Sequence, residues 1–313
     1  MNGFSPYHNR HLVLVCLMQW LAAVTAAAVV AIGGATTGQA ADWTDTRAAG
    51  PFVCRADFSL TPCQGLLGEL AQLQADLVRT LRVPPAGEPI EVYLFHDQAT
   101  YARYLGHYLP TAPYRRALYA KGRGPGRVFA YQSEQFAVDL RHECTHALLH
   151  AALGQVPLWL DEGLAGYFEL PAAKRAFDNP HLGCIRSGAE QGFVPSLEAL
   201  EKKDDPRDMG QAAYRDSWAW THFMLHGPPA AHEALVAYLA ELRGSGAGVP
   251  TPALKPEAQA RFPERGSLAR ASGFDSAAAA REVILPQALS TRLRQQIPDL
   301  HQRFLEHFQS WKR

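Results

Sequence analysis

His142-Glu143-Cys144-Thr145-His146 sets two imidazoles four residues apart with a carboxylate between them, and Trp159-Leu160-Asp161-Glu162-Gly163-Leu164-Ala165 brings two more carboxylates shortly after. Imidazoles and carboxylates are the ligands of catalytic zinc sites, where three protein ligands leave a fourth position to water. On a helix, a spacing of four places His142 and His146 one turn apart on one face, with Glu143 about 100° round from His142. Two neutral imidazoles and one carboxylate leave the ion net positive, which lowers the pKa of its water towards about 7. Glu143 is then placed to act as general base, taking that proton and handing it to a leaving amine. Peptide hydrolysis is the reaction this set suits best.

The elements that must carry these residues are written nearby. From Glu134 to Leu153 there is neither Gly nor Pro, Phe136, Leu140, Ala147 and Leu148 recur at helical spacing, and Gly154 stands where a C-terminal cap belongs. Pro157 suits the first turn of a second helix, Leu158 to Glu169. So short a connection makes the two helices antiparallel neighbours. His146 and Glu162 are each eight residues from Gly154, so both lie about 12 Å from the bend and face each other. The expected ligands are therefore His142, His146 and Glu162, holding one zinc ion per chain. Asp161 points about 100° away from Glu162 and is the weaker choice of third ligand.

The neighbours have plainer readings beside the chemical ones. His150 continues the spacing of four from His146 and reads as a partly exposed residue at the helix end, with orientation of a ligand as its alternative. Asp161 either accepts the free ring N–H of a metal-bound histidine or complements the positive end of the second helix. Cys144 reads as a small packed residue, not a nucleophile.

The form H-E-x-T-H followed by P-x-W-L-x-E-G-L-A-x-Y-F-E resembles the gluzincin metallopeptidases of the MA clan, in particular the peptidase-MA-like and DUF1570-type proteins of bacteria. The resemblance extends upstream through Ile90 to Tyr104 and Arg127 to Tyr131 and downstream to Tyr214 to Leu225, about half of the chain. It implies a zincin-like fold, zinc on His142, His146 and Glu162, and Glu143 as general base. It also implies a tyrosine near residue 214 as oxyanion donor, so Tyr214 is the candidate and His222 the reserve. The interval from His146 to Glu162 is shorter than in thermolysin-like members, so their substrate-binding details do not transfer. A metzincin pattern fails, since its glycine and third histidine would fall at Leu149 and Ala152.

Around this centre the chain reads as an α+β fold in three parts. Residues 1–41 are a leader: Arg10 and His11 precede an apolar run over residues 12–32, and Gly38-Gln39-Ala40 offers small residues to a signal peptidase. The expectation is an exported protein, periplasmic or extracellular, cut after Ala40. The rival is retention of residues 12–32 as a membrane anchor, since 21 residues of helix extend about 31 Å. Residues 42–243 form the catalytic domain, and residues 244–313 a Gly- and Pro-rich linker and a C-terminal helical region. With 30 basic and 30 acidic residues and no basic run, nucleic acid is not an expected partner; a peptide or protein substrate is. Cys54 and Cys63 are expected to pair, with Cys184 either free or bonded to Cys144.

Within the catalytic domain, strands are expected at Phe52 to Ala56 and Ile90 to Phe95, and helices at Gln64 to Leu81 and, after Asp97 as N-cap, Ala99 to Tyr108. Arg115 to Tyr119 and Arg127 to Tyr131 flank a Gly-rich turn as a hairpin or a loop pair. If Arg127 to Tyr131 is an edge strand beside the zinc, an extended peptide can add to it; an ordinary internal strand is the plainer reading. Helices follow at Ser217 to Leu225 and Ala231 to Leu242, and a last one opened by Pro298 carries Leu300, Phe304, Leu305, Phe308 and Trp311 as packing surface. Two classes of function fit this pattern: a zinc metallopeptidase, and a zincin-fold metal-binding module with little or no hydrolysis. Amides other than protein, such as cell-wall peptides, share the same chemistry.

Overall fold

The computed structural model describes residues 43–246 and 286–311, apart from residues 111, 113, 122 and 123. The expected leader, its apolar run and most of the expected linker lie outside the described residues. Among the described residues no helix is long and apolar enough to cross a membrane.

The fold is α+β. A five-stranded mixed sheet runs in the order β1 (Asp45–Ala49), β2 (Phe52–Ala56), β3 (Ile90–Phe95), β5 (Arg127–Tyr131), β4 (Ala117–Ala120). The central pairs β2–β3 and β3–β5 are parallel, and the outer pairs are antiparallel hairpins. Parallel neighbours need a crossover, and α1 (Gln64–Leu81) and α2 (Gln98–Tyr108) supply helices for the two connections. Asp97 caps α2 as its sequence position predicts, accepting from the Thr100 amide at 2.8 Å. Strand β1 was not foreseen, because of its five residues only Ala49 is buried and no alternation of type marks it.

Strand alternation gives the sheet two different faces. Phe52, Cys54, Ala56, Val92, Leu94, Val128 and Ala130 face the main core, which α1 and the later helices close. Tyr93, Phe95 and Phe129 face the other way and pack with Tyr101 and Leu105 of α2 in an aromatic layer.

Arg127–Tyr131 is internal, which excludes it as the place where a peptide adds to the sheet. Its centre, Val128-Phe129-Ala130, is fully buried and takes β3 on one side and β4 on the other, leaving β4 as the outer strand. Under β4 and β5 runs α3 (Phe136–Leu153), ended by Gly154 at φ 78°. Next comes α4 (Leu158–Phe168), which begins from Pro157 as cap and is buried along nearly its whole length. α5 (Leu182–Glu190) and the short α6 (Leu197–Glu201) lead to α7 (Gln211–His226), which lies against α4, and α8 (Pro229–Gly246) packs on α7. At the α4–α7 crossing a Cβ on Gly163 would stand 2.6 Å from Ser217 O and nearer still to Thr221 Oγ1, so only glycine lets the helices approach this closely.

The chain closes with α9 (Leu289–Gln296) and α10 (Leu300–Ser310). The apolar stripe of α10 is packing surface, as its spacing predicts: Phe304 lies 4.6 Å from the Trp220 ring, and Phe308 is fully buried. The expected Cys54–Cys63 pairing is corrected, and of the two readings of Cys184 the free one holds. Cys54, Cys63, Cys144 and Cys184 are free thiols. Cys54 turns into the core from β2 while Cys63 stays half-buried at the head of α1, and Cys144 is buried where Cys184 is exposed.

Candidate metal centre

The two helices that carry the chemical residues meet as their short connection requires. Contacts run in opposite order along them, with His146 meeting Asp161 and Glu162 while His142 meets Glu162 and, further on, Glu169. α3 spends its other face on the core through Leu140, Cys144, Ala147 and Leu148, which fixes the rotation that presents the histidines to α4.

His142, His146 and Glu162 converge. Their facing atoms form a triangle with Nε2 to Nε2 at 3.2 Å, His142 Nε2 to Glu162 Oε2 at 3.4 Å, and His146 Nε2 to Glu162 Oε2 at 3.6 Å. Ligands at about 2.05 Å from a tetrahedral ion stand roughly 3.3 Å from one another. The circle through the three atoms has a radius of about 2.0 Å, so one ion just off their plane meets all three at bonding distance. The three atoms are close enough together that the group could hold a metal ion.

Each histidine is also held from behind. His142 Nδ1 stands 2.9 Å from Glu169 Oε2, and His146 Nδ1 stands 3.0 Å from Asp161 Oδ2. On His142 the Glu169 hydrogen bond holds the proton at Nδ1 and leaves Nε2 its lone pair, the tautomer that binds metal, whereas Asp161 meets His146 Nδ1 at ion-pair distance without hydrogen-bond alignment. Asp161 thus addresses His146 from the side of the ring away from Glu162, and it is not among the three atoms that converge. His150 is the partly exposed residue of the last helical turn that its position predicts, and its Nε2 shares Asp161 Oδ2 at 2.9 Å beside the Tyr119 ring.

Three carboxylates around two imidazoles make a pocket for positive charge. Burial pulls the His142 imidazole down, but Glu162 and Glu169 outweigh it and hold it up at about 9. His146 is likewise raised against its burial by Asp161 and Glu162. Burial pushes Glu162 up, and the two histidines more than reverse this, bringing it down to about 2. A divalent cation satisfies the same field that protons satisfy in its stead.

No protein-family model and no curated protein matches this sequence. The reading of the site therefore rests on its geometry.

Glu143 reaches the sheet, where its Oε2 accepts the Tyr119 amide of β4 at 2.7 Å. One oxygen is thus fixed by the backbone of the outer strand. Tyr214, near the start of α7, is half-buried beside Glu162 and the Arg115 guanidinium; burial first, then Glu162, pushes its phenol pKa up, while Arg115 opposes this. His222 is not at the site. Two turns further along α7 it is fully buried, with Nδ1 3.0 Å from His307 Nε2 and Nε2 3.0 Å from Ala176 O, so its ring is already engaged.

Two participants escaped the reading of the sequence. Glu169 lies seven residues after Glu162, two turns along the same face of α4, and that spacing was the available signal. The Tyr119 amide gave none, because a backbone donor has no residue type to recognise.

Proposed function

We propose that this protein is a zinc-dependent metallopeptidase of zincin-like fold, with His142, His146 and Glu162 as ligands and Glu143 as general base. The observation that carries the reading is the ligand triangle, sized for a tetrahedral ion and backed by carboxylates on both imidazoles. Zinc bound there supplies a Lewis acid and water acidified to about pKa 7.

The protein's own groups divide the remaining work. Tyr119 N–H holds Glu143 Oε2, which leaves Oε1 to take a proton from the attacking water and release it to the departing amine nitrogen. Tyr214, kept protonated by burial, donates its O–H to the oxygen that gains charge as the substrate carbonyl is attacked. Among the described residues β4 is an outer strand, and its outer edge can receive an extended peptide. Since Tyr119 N–H turns away from β5, ladder alternation leaves the Tyr119 carbonyl and the Ala117 amide and carbonyl on that edge too.

The test is metal analysis joined to digestion of a peptide library with and without chelator. The expected result is one zinc per chain and chelator-sensitive cleavage, with Glu143→Gln retaining zinc while turnover falls by about 10²- to 10⁴-fold. Cleavage by Glu143→Gln at the wild-type rate overturns the catalytic assignment. Stoichiometric zinc without any cleavage favours a metal-binding module.

A further inference from the structure

We infer that Arg141 is a positioning residue for the metal centre, acting on His142 through Glu169. The inference rests on the zinc reading above and concerns a side chain that touches neither ligand atoms nor substrate.

Arg141 and His142 are consecutive on α3, so their side chains diverge by about 100°. Both nevertheless end on the same residue. Arg141 Nε donates to the Glu169 carbonyl oxygen at 2.5 Å, while His142 Nδ1 meets the Glu169 carboxylate at 2.9 Å. Glu169 sits at the very end of α4, where backbone carbonyls lack helical partners and the chain turns away. With its carbonyl pinned, the backbone from which the Glu169 carboxylate reaches His142 has one position.

Arg141 is itself only 5 % exposed, and its guanidinium is fixed by Nη1 on Glu69 Oε2 at 2.7 Å. The arrangement repeats one residue on: Arg175 Nε donates to the Leu170 carbonyl at 2.9 Å, and its Nη1 meets Asp76 Oδ2 at 2.6 Å. Glu69 and Asp76 are seven apart on α1, two turns along one face. Two buried arginines thus fasten the exit of α4 to α1, and the first of them borders a metal ligand. A buried guanidinium needs full pairing to be tolerated, and only its fork reaches a carbonyl and a carboxylate at once.

The test is a double-mutant cycle on zinc affinity, read by chelator competition, with the visible absorption of the cobalt(II)-loaded protein as a reporter of ligand geometry. Arg141→Lys and Glu169→Gln should each weaken zinc by about 10-fold or more and alter the cobalt band. The double variant should bind no more weakly than Glu169→Gln alone, because both act along one path. Losses that multiply, or an Arg141→Lys protein with wild-type affinity and spectrum, overturn the proposal. Should Arg141→Lys not fold, Glu69→Gln, which loosens the guanidinium from a half-exposed anchor, must shift affinity in the same direction; no shift overturns it equally. Failure of the wild type to bind zinc removes the metal reading and this inference together. Binding that is lost in Glu162→Ala and untouched in both Arg141→Lys and Glu69→Gln removes the inference alone.

Discussion

Asp161 Oδ2 lies 3.0 Å from His146 Nδ1, on the side of the ring away from Glu162. Two consecutive carboxylates on α4 therefore address opposite nitrogens of one imidazole, which gives them separable roles. Asp161→Asn should keep the metal site but weaken zinc by about 10- to 100-fold, whereas Glu162→Ala should lose stoichiometric zinc altogether. Chelator competition measures both, and equal losses would contradict the division of roles.

Tyr214→Phe removes a hydroxyl that burial keeps protonated beside Glu162. If it stabilises charge developing on the substrate oxygen, kcat should fall by about 10²- to 10³-fold while KM and zinc content stay close to wild type. Steady-state kinetics decide it. A change confined to KM would make the tyrosine a binding group only.

Gly163→Ala places a methyl 2.6 Å from Ser217 O, between the ligand helix α4 and α7. The helices must part, and overpacking of this kind costs about 1 to 3 kcal/mol, offset by up to about 1 kcal/mol of better helix propensity. Urea denaturation should show net destabilisation. Unchanged stability would mean the crossing is looser than its geometry.

The metal-free protein should be most stable near pH 6.5. His222 and His307 are buried and His226 half-buried beside them, and all three are driven down, by burial first, to about 2, 4 and 4 for His222, His226 and His307. Their folded values lie below the unfolded value of about 6.5, so the unfolded chain takes up protons first and stability falls as pH drops from 6.5 towards 4. His142 has the opposite sign: held up at about 9, it adds stability as pH falls from 9 to 6.5, and that gain is complete below 6.5. Urea midpoints from pH 8.5 to 4.5 trace the two limbs, and His307→Gln should flatten the acid one. A midpoint rising steadily to pH 4.5 would refute it.

Much of the centre was legible because its signals are short-range. The pair at 142 and 146, the stop at Gly154 and the eight-residue arms to His146 and Glu162 all follow from helical repeat and one bend. The strand at Phe52–Ala56 and the helix Gln64–Leu81 were equally plain, since each alternates or repeats within its own length, and Ile90–Phe95 was legible from its density of β-forming residues. By contrast, β4 became the outer strand because the fully buried centre of β5 requires neighbours on both sides, and burial is not spelled by local order. His222 was drawn into a cluster with His307, 85 residues away, which no spacing announces.

The sequence by itself determined that His142 and His146 share one helix face, because i to i+4 geometry is set by the backbone helix, and the short bend at Gly154 pointed to Glu162 as their partner across the pair. Only the tertiary structure decided how those side chains are held. Glu169 and Arg141 meet across 28 residues and Glu143 meets the Tyr119 amide across 24. Such pairings depend on where whole helices and strands come to rest, and that is fixed by the burial of their apolar faces, not by the polar residues that profit from it.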